Sequence, residues 1–352
     1  HQRHRKLIIP NWHKENLITC GENIISITQK IIGNLIIDSS FDVRQIMRKI
    51  SLDVILEEVL GANDYLVREQ IRQTIIDLFN TFDSPLLASY LFAASHFPLL
   101  LEQEIGIWAK VKHLQRKLNV LIDNEIAQRK YSKDYIKHDF LFLLINSRDE
   151  NGELMNSEEI RQAILTLIFA GFETAAASLS WMLYWVYYIP EVRGKLANEL
   201  SLHLKQLNPL EIERLPYLSS VCNETLRITP PALSTFARSV KKPLLIDGYH
   251  LEPGTIIDVS IYLAHKREAI YPEPEKFKPE RFLEKQFSPY EFLPFGGGQC
   301  RCLGASLALY EMKLVLATIV SNFNLELIDP KPLKPKRHGI VMIPPNLKMK
   351  IV

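Results

Sequence analysis

The stretch Phe295-Gly296-Gly297-Gly298-Gln299-Cys300-Arg301-Cys302-Leu303-Gly304 sets three consecutive glycines ahead of two cysteines one residue apart. Residues of these types could bind phosphate, chelate a metal, form a disulfide, or present one reactive thiolate. Spacing excludes the first. A dinucleotide fingerprint starting at Gly296 needs glycine where Arg301 stands, and the triphosphate-loop pattern fails because Cys302 and Leu303 occupy its second glycine positions. A zinc site wants further cysteines or histidines at close, regular spacing, and none lies nearby in sequence, so zinc remains only with distant ligands. A Cys300–Cys302 disulfide would close a short, strained ring. One thiolate remains, at the start of a helix expected over 305–323. Backbone N–H groups and the helix dipole would stabilise the anion, and the preceding glycines would let the main chain pass close to a large flat ligand. That combination describes a haem thiolate.

Two other places carry chemistry. "AGFET" sets Glu173 and Thr174, an acid and an alcohol, beside the small Ala170 and Gly171, within a stretch from Gln162 to Ile189 whose one charge is Glu173. Hydropathy reads such a stretch as a membrane span, but a carboxylate near its midpoint costs roughly 3 kcal/mol on insertion scales, and no second span or basic flank follows. The expectation is instead a buried helix over 157–189, roughly 50 Å long, crossing a whole domain. In "ETLR", Glu224 and Arg227 stand three apart on a helix expected over 217–228 and stopped by Pro230-Pro231. Alone they could be a surface pair worth about 0.2 to 0.5 kcal/mol.

The elements that must position these residues follow from periodicity. Up to about residue 228, apolar residues recur three and four apart and prolines are widely spaced, which predicts a helical array; 41–61 is a clear example, closed by Gly61. From Ala232 to Asp258 the pattern changes to short strand-like runs with turns at Asp247-Gly248 and Pro253-Gly254. "YPEPEKFKPERF" then predicts an extended meander ahead of the glycine stretch, and the basic run 331–339 a solvated loop. With 352 residues, 47% apolar and 23% charged, the chain is globular; a net charge of +2 without an arginine-rich arm argues against nucleic acid. Four unevenly spaced cysteines are no disulfide framework and suit a reducing compartment, with Cys20 and Cys222 as small core residues.

Taken in order, these motifs resemble the cytochrome P-450 superfamily. Its ligand loop has the pattern F-G-G-x-x-R-x-C-x-G, which places Phe295, Gly296 and Gly304 in the cofactor-binding loop and Cys302 as the iron ligand. "AGFET" resembles the oxygen-activating bend of the long central helix, with Glu173 and Thr174 as its catalytic acid and alcohol. "ETLR" resembles the E-x-x-R motif, and "FKPERF" adds Arg281 to make a structural triad of Glu224, Arg227 and Arg281. "FARSV" places Arg238 at a propionate-binding position, and the opening "HQRHRK" does the same for His1 and Arg5. The resemblance implies a mainly α fold with small β-sheets in a single domain over 1–352, the cytochrome P-450 fold lacking its N-terminal part of a hundred or so residues. One position departs from the pattern. Cys300 stands where the family's arginine would meet a propionate, with Arg301 one place late, and the expectation is weak haem retention.

The resemblance further implies a monooxygenase carrying heme b with an axial thiolate, which inserts one oxygen atom from dioxygen into a C–H bond of an apolar, fatty-acid-like or terpene-like substrate. Ile168, Phe169, Ala170, Leu233, Ser234 and Met342 would line its pocket. A ferredoxin or flavodoxin with its reductase would supply electrons, docking on Arg3, His4 and Lys6, in a bacterial cytoplasm, with any peripheral membrane contact made through the absent N-terminal part. Two alternatives stay open: a haem-thiolate protein without oxygenase activity, and an inactive fragment.

Overall fold

A computed structural model describes residues 5, 7, 17–61, 64–96, 102–131, 139–203, 208–338 and 341–352. His1, Arg3, His4 and Lys6 lie outside the described residues. The chain divides into two compact units, one of residues 1–34 and 45–173, the other of 35–44 and 174–352.

In the first unit, the three-and-four spacing of apolar residues gives α1 (Leu17–Gly33), α2 (Val43–Val59), α3 (Tyr65–Phe82), α4 (Pro85–His96), α5 (Gly106–Tyr131), α6 (Phe140–Asn146) and the first half of α7 (Ser157–Tyr188). Side chains satisfy the open N–H groups at helix starts. Asp64 accepts from Leu66 N at 2.8 Å, and Asp139 from Phe142 N at 2.9 Å. Asn156 and Glu159 bond reciprocally at 2.9 Å, a capping box that starts α7. Leu78, Leu87, Val111 and Leu114 form a buried cluster against which Phe169 and Trp108 pack, and the Phe79 and Phe172 rings meet edge to face at 4.6 Å.

The second unit holds the rest of α7, then α8 (Pro190–His203), α9 (Pro209–Glu213), α10 (Pro216–Ile228), α11 (Ile261–Ala264), α12 (Arg281–Glu284) and α13 (Ala305–Asn322). Pro190, Pro209 and Pro216 each stand at the first helical position, where a missing N–H costs nothing. Its strands are β1 (Ser40–Asp42), β2 (Arg238–Ser239), β3 (Leu244–Ile246), β4 (Tyr249–Leu251), β5 (Ile256–Ile257), β6 (Leu325–Leu327), β7 (Lys336–His338), β8 (Val341–Ile343) and β9 (Lys348–Ile351). β9 lies between β1 and β6, with Ser40 and Glu326 both opposite Lys350; β2–β5, β3–β4 and β7–β8 are separate antiparallel pairs. The β3–β4 turn is made by Asp247 and Gly248, with φ of 48° and 82°.

The structure adjusts two sequence expectations and keeps a third. The helix expected from Phe41 begins at Val43 because Ser40–Asp42 are drawn into the sheet by β9. Residues 336–338 are a strand paired with Val341–Ile343, not part of a plain loop. The long helix α7 is long and apolar enough to cross a membrane by length and composition, yet 61% of its most apolar window is buried within the protein. Trp181 Nε1 donates to Met342 O at 3.1 Å and Tyr184 OH to Lys331 O at 3.2 Å, which satisfies polar edges that a lipid-facing helix would leave bare.

Candidate functional site

Cys302 is exposed and lies three residues ahead of α13. The loop before it turns through Gly296 (φ 67°) and a single 3-10 turn at Gly298–Cys300, in which Gly298 has φ 61°, a left-handed conformation that side chains rarely adopt. Cys302 N donates to Phe295 O at 2.9 Å, which folds the thiol end of the loop back onto its phenylalanine end. A Cβ built on Gly297, Gly298 or Gly304 would meet nothing within 4 Å, whereas one on Gly296 would touch Thr235 at 4.0 Å. The loop thus has a bare glycine face and a second face against the segment leading to Arg238. Arg238 is exposed at the start of β2, opposite Ile257.

The segment after the double proline is tied to two other segments by backbone hydrogen bonds. Met342 N donates to Pro231 O at 2.9 Å, and Tyr262 N to Leu233 O at 3.0 Å. Leu233 is 38% exposed and Ser234 bridges to Ser260. Met342, Leu233 and Ser234 therefore belong to one neighbourhood.

On α7, burial is interrupted on one line. Thr166 and Ala170 are exposed and Thr174 half-buried, at the four-residue spacing that puts side chains on one helix face. Ser178 Oγ donates to Thr174 O at 2.9 Å. Phe169 packs into the α3–α4–α5 cluster, and Ile168 is fully buried, so neither shares that open line. The reason is angular: position 168 lies about 200° around the helix from 170. Glu173 is buried at 6% exposure, and its Oε1 forms an ion pair with Arg48 Nε of α2 at 2.6 Å. Sequence reading misses Arg48, which has no motif and stands far from Glu173 in the chain. Arg5 is half-buried.

The Glu224–Arg227–Arg281 set is a fully formed buried network. Arg227 Nε and Nη2 donate to the Glu224 carboxylate at 2.6 and 2.8 Å, and Arg281 Nε and Lys278 N reach Glu224 Oε1 at 3.1 and 2.8 Å. Carbonyls take the remaining guanidinium donors: Arg227 Nη1 reaches His265 O and Pro274 O at 3.0 and 2.9 Å, and Arg281 Nη1 reaches Pro272 O at 3.0 Å. This pins the proline-rich meander onto α10. His265, also fully buried, accepts from Leu293 N on Nε2 at 3.0 Å, just ahead of the thiol loop. Burial, reinforced by the Arg227 charge, pushes its pKa down to about 4. The network ties the meander to α10, and nothing in the sequence points to His265 as part of it.

These residues fit a haem with one sulfur donor. The thiol is exposed, the glycines bring bare backbone beside it, and no cluster of three metal-ligating side chains occurs among the described residues. Cys20 and Cys222 are buried, and burial drives the Cys222 thiol up to about 12, the opposite of what a metal ligand needs.

Comparison with known proteins agrees along the chain's length. Residues 1–351 match the family described as Cytochrome P450. A Mycobacterium tuberculosis protein provisionally named cytochrome P450 135B1 is 30% identical over 345 residues, covering 98% of this chain and 70% of that protein. Another from the same species, provisionally named cytochrome P450 137, is 30% identical over 98% of this chain and 69% of its own length. Cytochrome P450 3A12 of Canis lupus familiaris is 30% identical over 331 residues, 89% of this chain and 65% of that protein. A thiol loop ahead of α13, a buried Glu-Arg-Arg network behind it and a match that runs from end to end place the chain in the cytochrome P450 family of haem-thiolate monooxygenases.

Proposed function

We propose that the chain is a monooxygenase that holds heme b through Cys302 and converts an apolar C–H bond and dioxygen into an alcohol and water, taking two electrons and two protons from outside. The observation that carries this reading is the exposed Cys302 on a glycine loop just ahead of α13, in a chain whose other three cysteines include two buried in the core. Bound haem would supply the activation of dioxygen, and an anionic sulfur would favour O–O cleavage.

The chain's own residues have three tasks. Phe295, Gly296 and Gly304 shape the loop, and Arg238, Arg5 and His1 would neutralise the haem carboxylates. Glu173 and Thr174 hold and pass protons at their carboxylate and hydroxyl oxygens, as general acid catalysis requires of groups within hydrogen-bond reach. The apolar neighbourhood of Leu233 and Met342 would hold a fatty-acid-like or terpene-like substrate and exclude water. A ferredoxin or flavodoxin with its reductase would deliver the electrons.

Cys302→Ser is the direct test. The reduced carbonyl complex of the wild type is expected to show the red-shifted Soret band of a thiolate donor and the variant to lose it. A variant that keeps the band would remove Cys302 from the ligand position.

A further inference from the structure

The geometry points to Arg48 as the positioning residue for the Glu173 carboxylate, an inference that rests on the proton-carrying role proposed for Glu173. Arg48 Nε lies 2.6 Å from Glu173 Oε1, with the two side chains 19% and 8% exposed. The Arg48 guanidinium also lies over the Phe172 ring, 5.8 Å from its centroid, and Phe172 is itself held edge to face by Phe79 at 4.6 Å. The guanidinium end of the pair is therefore constrained by packing.

The helices bearing them are fixed at the same place. Gly171 lies so close to α2 that an added Cβ would come within 3.1 Å of Ile55 Cδ1. Ile55 stands seven residues after Arg48, two turns along the same face of α2. Ile55 against Gly171 and Arg48 against Glu173 are thus two contacts of one helix crossing, and the small residue at 171 permits the approach that brings the guanidinium to the acid. A buried carboxylate without a cation would turn away or take up a proton permanently, because a lone charge is costly in a low-dielectric interior. Arg48 keeps the Glu173 carboxylate in one orientation.

A purely structural Arg48 would neutralise a buried acid and nothing more, so the test needs a readout that stability alone does not move. Arg48→Gln, Arg48→Lys, Glu173→Gln and the double variant Arg48→Gln/Glu173→Gln would be compared in the haem-loaded full chain. NADPH-driven oxygen consumption through a ferredoxin and its reductase would be measured in H2O and in D2O without added substrate. Urea unfolding of the same proteins as purified gives a readout independent of turnover. The expected result is a solvent isotope effect changed about twofold or more by Arg48→Gln, no further change in the double variant beyond Glu173→Gln alone, and an intermediate value for Arg48→Lys. The unfolding equilibrium constants are expected to be non-additive by tenfold or more, which corresponds to 1.4 kcal/mol. If Glu173→Gln changes the isotope effect and Arg48→Gln leaves it at the wild-type value, Arg48 is not a positioning residue while the role of Glu173 stands. If Glu173→Gln itself changes nothing, the proton-carrying reading falls and this inference falls with it. Should Arg48→Gln fail to fold, Arg48→Lys decides: an altered isotope effect supports the inference and a wild-type value overturns it.

Discussion

Glu224 and Arg227 meet across one turn of α10 through two hydrogen bonds of 2.6 and 2.8 Å, and both side chains are completely buried. The same carboxylate also receives Arg281 and the backbone N–H of Lys278, so one acid organises two cations and the meander leading to the thiol loop.

Glu224→Ala would leave two guanidinium groups buried with carbonyl partners but no counter-charge. Removing one partner of a buried ion pair costs about 3 to 5 kcal/mol. The expected outcome is a loss of that size in urea unfolding together with sharply reduced haem content, since the displaced meander leads directly into the cysteine loop. Native haem content and an unchanged melting temperature would dismiss the network's supporting role.

His265 makes stability depend on pH. Its folded pKa is near 4 against an ordinary 6.5, because burial and the neighbouring Arg227 oppose its charge. The unfolded chain therefore binds more protons between pH 6.5 and 4, so this contribution is fully present above 6.5 and is lost as pH falls toward 4. The full loss is on the order of 3 kcal/mol at 1.36 kcal/mol per unit. Unfolding free energies of wild type and His265→Gln, measured from pH 4 to 7, should differ in slope across this window; parallel curves would show that His265 ionises without penalty.

Gly61 closes α2 with φ 50°, and a Cβ there would overlap the Asp139 carboxylate. Asp139 both caps α6 and pairs with the buried Arg129, whose other donor reaches Leu60 O. Gly61→Ala should cost more than the roughly 1 to 2 kcal/mol of the left-handed backbone alone. Gly194, inside α8 with open space around it, should respond with the opposite sign, gaining about 0.8 to 1 kcal/mol as alanine. Chemical denaturation of the two single variants checks both signs.

Cys300 and Arg301 are both exposed at the end of the 3-10 turn, with Arg301 N donating to Gly298 O at 3.2 Å. The family resemblance puts a propionate-binding arginine at position 300, and a charge-assisted hydrogen bond contributes about 1.5 to 3 kcal/mol. Cys300→Arg should therefore slow haem transfer to apomyoglobin by about tenfold or more. An unchanged transfer rate would mean that position 300 does not face a propionate.

Much was legible in the sequence by itself, because it depends on local spacing. The 3.6-residue periodicity marks α7, α10 and α13 to within a residue or two, since a helix repeats its buried face inside a few turns. The Asp247-Gly248 turn is equally local. So is the elimination of a phosphate loop at Gly296, which follows from neighbouring residues alone. Tertiary structure decided whatever joins distant segments. β1 is three residues long and pairs with β9 near the far end of the chain, so no window of sequence contains both strands. Glu224 and Arg227 are neighbours on a helix by spacing, but that they are buried, and that His265 lies beneath them, depends on a meander folding back over α10. Ile168 and Ala170 look alike as apolar residues of one helix, and only packing separates the buried face from the open one. Arg48 reaches Glu173 for the same reason: two helices cross closely where Gly171 has no side chain, and a crossing is a property of the assembled core that neither helix encodes alone.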